Sequence, residues 1–445
     1  MYPRIYRPVT IVVVVVSWQS VASTSNTRQT HTEYPDSHKI MKIDAKFDSG
    51  AIIVKDISNE DGVQAATLEI AHDAPHAGKP YLQWFHFRAY NIETSKKCTF
   101  HIQNAGSTTY PGGWINYNVC ASYDRKNWFR INTSYNQEEG LKWELGEPRF
   151  ASIFFAYYPP YSQERHMDFI SECQVSSPKH CILSTLPGTT LDGNTLDLLL
   201  VGNPPPPAPS STPAKREGGK LQFWIIARQH PGETQASWWM EGFLKRLLDP
   251  NDAVATLLRN SIDFYVVPNM NPDGSQRGYL RVNAAGKNLN REWSNPTKES
   301  SPEVFFCQQA ISLTGIDFLL DVHSEEELEY VFLSKTPLGI PSINDTQVRL
   351  YNKYCEALKR ANPEFQTEHG YKMPEKGKAN LSVCCAWASE TYGCLAMTQE
   401  QPFKDNVLFP EPNQEWSIAR CEKLGSSVLD AMYSVMDDLQ VYRGK

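Results

Sequence analysis

His230-Pro231-Gly232-Glu233 places an imidazole and a carboxylate within one short turn of a 445-residue chain. Both groups are good ligands for a divalent zinc ion, and a Pro-Gly pair can bring them towards one point. With eleven histidines present, the spacing alone is a weak signal, because it arises readily by chance. His323 closes Asp321-Val322-His323 after an apolar run. Taken singly it reads better as a hydrogen-bonded histidine at a strand end. Taken with His230 and Glu233 it completes three ligands with a fourth position open, an arrangement of catalytic and not of closed structural zinc sites. Glu400 ends a second apolar run, Leu395-Ala396-Met397, and an acid beside a metal-activated water could act as general base; the plainer reading is an exposed strand-end carboxylate. Arg281 and Arg291 follow the turn signal Asn271-Pro272-Asp273-Gly274. They are either solvated surface cations or guanidinium forks for a carboxylate, which would suit a peptide's free C-terminus.

These residues need elements to bring them together. Residues 221–227, 262–267 and 318–322 are continuous apolar runs of the kind buried in parallel sheets. Between them, residues 233–248 have helical spacing, and Ser301-Pro302-Glu303 is a helix start with cap, first-turn proline and acid. A long amphipathic helix follows Ile418, Cys421, Leu424, Val428, Met432 and Met436. Such alternation predicts an α/β domain with a mixed, mostly parallel sheet flanked by helices, its site beyond the carboxyl ends of the strands. Ahead of it, short alternating runs at 51–54, 66–70, 82–88, 100–103 and 114–121 predict an antiparallel β-sandwich. The expected division is a 1–40 extension, a 41–161 sandwich and a 162–445 catalytic domain interrupted by a proline-rich loop at 203–219. That loop is read as a tolerated polyproline insertion, ahead of a ligand for an SH3-like partner.

A hydrophobic fraction of 41% and a charged fraction of 21% describe an ordinary globular protein. The net charge of −7 leaves no basic footprint for nucleic acid. The apolar run at residues 9–18 is too short to span a bilayer, so no integral membrane span is expected. Residues 1–24 fit a secretory signal, a mitochondrial presequence or an extension without an address, and the three stay open. Ten cysteines without a paired CxxC framework point to buried thiols in a reducing compartment. Asn132, Asn344 and Asn380 lie in short glycosylation patterns that chance supplies.

The succession of HxxE, NPDG, arginine, NLNR, histidine and a late glutamate resembles the M14 family of zinc carboxypeptidases. Residues 227–233, Asn288-Leu289-Asn290-Arg291-Glu292-Trp293 and Met397-Thr398-Gln399-Glu400-Gln401-Pro402-Phe403 are similar to its cytosolic carboxypeptidase branch, as is Phe47-Asp48-Ser49-Gly50 opening the sandwich. The resemblance covers roughly residues 41–440 and implies a cytoplasmic hydrolase of C-terminal peptide or protein tails. It further implies one zinc ion on His230, Glu233 and His323, with Glu400 relaying a proton, Arg281 holding the oxyanion, and Asn290 and Arg291 gripping the terminal carboxylate. Asn288 stands where many relatives have aspartate. Tyr371 and Tyr392 are both candidates for the tyrosine that assists many members. Residues 380–391 hold no lysine or arginine, with only Lys376 and Lys378 nearby, which counts against the glutamate preference of the deglutamylating members. Competing readings are a related zinc amidohydrolase of small acyl-amino acids, an inactive binding scaffold, and an interaction module built on the sandwich and proline loop. The oligomeric state is left open.

Overall fold

Three of the apolar runs, joined by Leu395–Glu400, form the parallel centre of a seven-stranded sheet. The computed structural model describes residues 40–74, 80–202 and 219–443; the run at 9–18 and the prolines at 204–207 lie outside them. Across the sheet the order is Cys181–Thr189, Thr195–Val201, Ile262–Val267, Leu221–Ala227, Phe318–Val322, Leu395–Glu400 and Phe332–Leu333. The central four are parallel and the flanking strands antiparallel. Every residue of the central four is buried, because helices cover both faces. Alternation along Leu221–Ala227 sends Phe223 and Ile225 to one core with Phe243, Leu358 and Val428, and Trp224 and Ile226 to the other with Val304, Ile311 and Ala388. Ala227 pairs with Val322, and Val322 with Gln399, so three strand ends stop at one level.

Two helices over the first core touch backbone to backbone. A Cβ added to Gly242, in Gln235–Leu247, would lie 1.9 Å from the carbonyl oxygen of Glu422. One added to Gly425, in Ile418–Arg443, would lie 2.0 Å from that of Trp239. The first of these helices starts two residues after Glu233, so this contact also fixes the turn that carries His230 and Glu233.

Ahead of the α/β part, two five-stranded sheets face each other across Phe87 and Phe155 on one side and Phe100 and Trp143 on the other. Phe100 lies 4.6 Å from Phe155 and 5.4 Å from Trp143, between ring centroids. One pairing departs from the expected antiparallel pattern: Val63–Glu69 runs parallel to Lys97–Ile102. Between them the chain crosses to the other sheet and forms His86–Tyr90 there, which supplies the crossover a parallel pair requires. Ser49, in the left-handed region at φ 61°, joins the two parts: its N–H donates to Gln276 (3.0 Å), and its hydroxyl meets Nδ1 of the buried His86 (3.1 Å).

Two local readings change, and a third residue gains a structural role. Asn271-Pro272-Asp273-Gly274 is not a plain turn but the start of the helix Pro272–Arg277, capped by Asn271, whose Oδ1 accepts from Gly274 N–H at 3.0 Å. Ser301 precedes the helix Pro302–Thr314 without capping it, because its hydroxyl accepts from Thr297 N–H instead (3.2 Å). Asn344 caps Asp345–Ala361 in a reciprocal box with Gln347.

Gly425→Ala is expected to lower stability by about 1–3 kcal/mol or more, since backbone on both sides must move; a denaturation midpoint within error of the parent would refute the close contact. Burial, reinforced by Arg125, pushes His86 down to about 3, so folding excludes a proton that the unfolded chain binds near pH 6.5. Stability is therefore complete above pH 6.5 and should fall towards pH 3 by up to about 1.4 kcal/mol per pH unit. Denaturation against pH should show a shallower acid loss in His86→Gln.

Candidate active site

The strand Leu221–Ala227 ends at Arg228, which takes φ 60° although it is not glycine. Strain of this kind persists only where surroundings impose it. Here the buried guanidinium donates to the carbonyls of Pro231 (3.0 Å) and Tyr161 (2.9 Å), holding the 228–231 turn folded on itself. Gly232 donates to Leu280 at 2.8 Å, and a Cβ there would lie only 3.0 Å from the same oxygen. Glycine thus lets the metal-ligand turn lie against the segment that carries Arg281. On the neighbouring strand, His323 follows Val322 and donates its N–H to Gln399 at 2.8 Å.

The result is convergence. Nδ1 of His230 lies 2.6 Å from Glu233 Oε1, Nδ1 of His323 lies 2.8 Å from Glu233 Oε2, and the two Nδ1 atoms are 3.1 Å apart. All three residues are buried, and their ligand atoms fall within 4.8 Å of one another. The opposite ring nitrogens have acceptors of their own: His230 Nε2 lies 3.0 Å from Asn288 Oδ1 and His323 Nε2 lies 2.9 Å from Asp321 Oδ2. With each Nε2–H given to these oxygens, both Nδ1 atoms are available beside Glu233 for a shared cation. The electrostatics agree. Burial and Arg281 push His230 down to about 4, which leaves it neutral and able to ligate. At His323 burial acts downward but is overruled by Asp321 and Glu233, so its Nδ1 attracts positive charge. Two imidazoles and a carboxylate with supporting acceptors behind them fit zinc.

Asp321 is itself anchored. Gln229 Nε2 donates to its Oδ2 at 2.7 Å, and Trp293 Nε1 donates to Gln229 Oε1 at 2.9 Å. Sequence reasoning passed over Asp321, Gln229 and Trp293. The signal for Asp321 was its place two residues before His323, on the same side of a strand.

A cavity of about 340 Å³ opens over the three ligands and takes in Tyr110, Arg281, Asn290, Arg291, Tyr371 and Glu400 as further walls. Glu400 is buried, and burial pushes its carboxyl well above the usual range. Tyr371 donates to its Oε1 at 3.3 Å, while Oε2 has no partner among the described residues. Of the two tyrosine candidates, Tyr371 lines the cavity, whereas Tyr392 packs on Trp387 with ring centroids 5.6 Å apart. Arg281 lies 3.9 Å from Glu233, with Tyr110 and Tyr81 near its guanidinium at 5.5 and 6.0 Å. Its backbone N–H and that of Leu280 donate to the two oxygens of Asp73, each at 2.7 Å. Asn290 is buried, and its Oδ1 accepts from Cys384 N–H at 2.9 Å; Arg291 sits exposed at the rim and donates to the Asn290 carbonyl at 2.6 Å. All seven residues singled out from the sequence border this one cavity. Lys376 and Lys378 do not, and the uncharged lining of the cavity includes Ser334, Thr336, Val383 and Thr398.

Known proteins share this pattern. Residues 166–418 match the zinc carboxypeptidase family and residues 43–158 the cytosolic carboxypeptidase N-terminal domain. An uncharacterized protein of Zymomonas mobilis is 38% identical over 90% of this chain and 98% of its own length. Human cytosolic carboxypeptidase 2 is 31% identical over 81% of this chain, which spans only 41% of that longer protein. Two solved structures superpose closely. A metallo-carboxypeptidase from Pseudomonas aeruginosa in complex with (2-guanidinoethylmercapto)succinic acid has TM-score 0.81 and 38% identity, covering 89% of this chain and all of that one (100%). A metallo-carboxypeptidase from Burkholderia cenocepacia has TM-score 0.80 and 37% identity, covering 90% and 99%.

Asp321→Asn should weaken zinc binding about 10–100-fold, because the acceptor that orients His323 loses its charge. Asn288→Asp should strengthen it by the same logic. Zinc retention against a graded chelator measures both, and equal retention in all three proteins would remove these two residues from ligand control.

Proposed function

The chain belongs to the zinc carboxypeptidases of family M14, with the N-terminal domain of the cytosolic branch, and we propose that it removes C-terminal amino acids from peptide or protein tails. The observation that carries this reading is the meeting of two Nδ1 atoms and Glu233, beneath a cavity walled by a buried carboxyl and two arginines. When bound by His230, Glu233 and His323, zinc polarises a substrate carbonyl and lowers the pKa of a water to about 7.

The rest belongs to the chain. Glu400, with Oε2 free and Oε1 steadied by Tyr371, takes a proton from the attacking water and delivers it to the departing amine. A dry setting with a raised pKa suits that exchange, because the protonated carboxyl is tolerated until the amine collects the proton. Arg281, held from behind by Asp73, donates to the oxygen on which negative charge develops. Asn290 and Arg291 bind the terminal carboxylate. Internal peptide bonds lack that anion, so cleavage is confined to the last residue. The terminal side chain then rests against the uncharged lining of Ser334, Thr336, Val383 and Thr398, since the cations that border the cavity among the described residues, Arg281 and Arg291, serve the scissile carbonyl and the terminal carboxylate. Polyglutamate tails are accordingly not the substrate this lining favours.

Glu400→Gln should lower turnover of C-terminal peptides by about 10²–10⁴-fold with zinc content unchanged. Unchanged turnover would take Glu400 out of the proton relay, and loss of zinc would assign it to metal retention instead.

A further inference from the structure

Directly after His323 the chain reads Ser324-Glu325-Glu326-Glu327, and two of these acids border the cavity. They are not equivalent. Glu325 is occupied: its Oε2 accepts from Glu327 N–H at 2.8 Å and also from Leu328 N–H, closing the turn. Glu326 is only 3% exposed, and its Oε1 has no hydrogen-bond partner among the described residues. Burial pushes this carboxyl well above the usual range, and a buried oxygen without a partner is costly and is retained where something pairs with it. Of the cations close by, Lys404 pairs with Glu329 at 3.4 Å, and Arg281 divides its charge between Glu233 at 3.9 Å and Glu326 without a hydrogen bond to Glu326 Oε1. Space has been made for this acid. Gly113 of the sandwich lies against it, and a Cβ there would come 3.2 Å from the Glu326 carbonyl oxygen and 3.4 Å from its Cβ.

The position within the cavity assigns a role. Asn290 is tied to Cys384 N–H, which places the grip for the terminal carboxylate at the Val383 end. Glu326 borders the cavity beside the sandwich residues Gly113 and Tyr110, with Arg281 near it. Resting on the carboxypeptidase reading, this order runs from terminal carboxylate through scissile carbonyl to the residue upstream of it. We propose that Glu326 is a subsite for positive charge on that penultimate residue, making the enzyme selective for substrates with a cationic group there and against an acidic one. Two sources present the same chemistry at this place: a lysine or arginine side chain, or the free α-ammonium of a dipeptide.

The test uses zinc-loaded full-length protein and peptides of one sequence differing only at the penultimate residue, as Lys, Gln or Glu, together with free and N-acetylated forms of one neutral dipeptide. The parent should favour Lys over Glu in kcat/KM by about ten- to hundredfold, the range a charge-assisted hydrogen bond supplies. In Glu326→Gln and Glu326→Ala that ratio should collapse towards one. Selectivity for the free dipeptide alone would assign the subsite to the α-ammonium, and selectivity among the longer peptides to the side chain. A parent indifferent to charge in both series, or a Lys/Glu ratio that survives both substitutions, overturns the proposal. Calorimetric binding of the same peptides to the zinc-loaded Glu400→Gln protein reads the preference without turnover. Charge-selective binding without cleavage by the parent would therefore sink the peptidase reading and keep the subsite, whereas cleavage without charge selectivity would do the reverse.

Discussion

Two imidazole nitrogens held 3.1 Å apart, each also against an oxygen of the buried Glu233, are the constraint around which this chain is organised. Closing three polar groups this tightly away from water is costly. The fold must therefore hold them rigidly, and a divalent ion bound by all three would offset that cost. The cost explains the density of support around them: a strained arginine, a glycine pressed on a carbonyl, and the line from Trp293 through Gln229 to Asp321.

The parallel sheet provides the level on which this is built. Neighbouring strands that end in register deliver His323 and Glu400 side by side, and the turn after the strand between 221 and 227 adds the other two ligands. The N-terminal sandwich is more than a buttress to that platform. Tyr110 and Gly113 wall the cavity or stand against it, and Asp73 receives the backbone N–H groups that present Arg281.

Much of this was legible because burial on both faces leaves an unmistakable pattern. The strands Leu221–Ala227, Ile262–Val267 and Phe318–Val322 were bounded correctly from apolar runs alone, and the cluster of His230, Glu233 and His323 is made by residues placed just past two of their ends. What resisted reading depended on tertiary context. The helix Asp345–Ala361 announces itself through Asn344 and Gln347, yet the same asparagine also starts a glycosylation pattern, and local sequence does not choose between them. Cys181–Thr189 alternates poorly because it is an edge strand with both exposed and buried residues. Choosing between Tyr371 and Tyr392 required knowing which one the chain folds over Glu400. Glu326 looked like one member of an acidic run until its neighbour was seen to be consumed by a turn.

The Asp73 clamp has a consequence for how the molecule can be divided. The arginine beside Glu233 is presented by a carboxylate that lies more than two hundred residues earlier in the chain. A fragment starting after the sandwich would inherit His230, Glu233, His323 and Glu400, yet its Arg281 would be unlatched. Modular in sequence, the two halves are a single catalytic instrument, and neither can be exchanged for a relative's counterpart unless the latch travels with it.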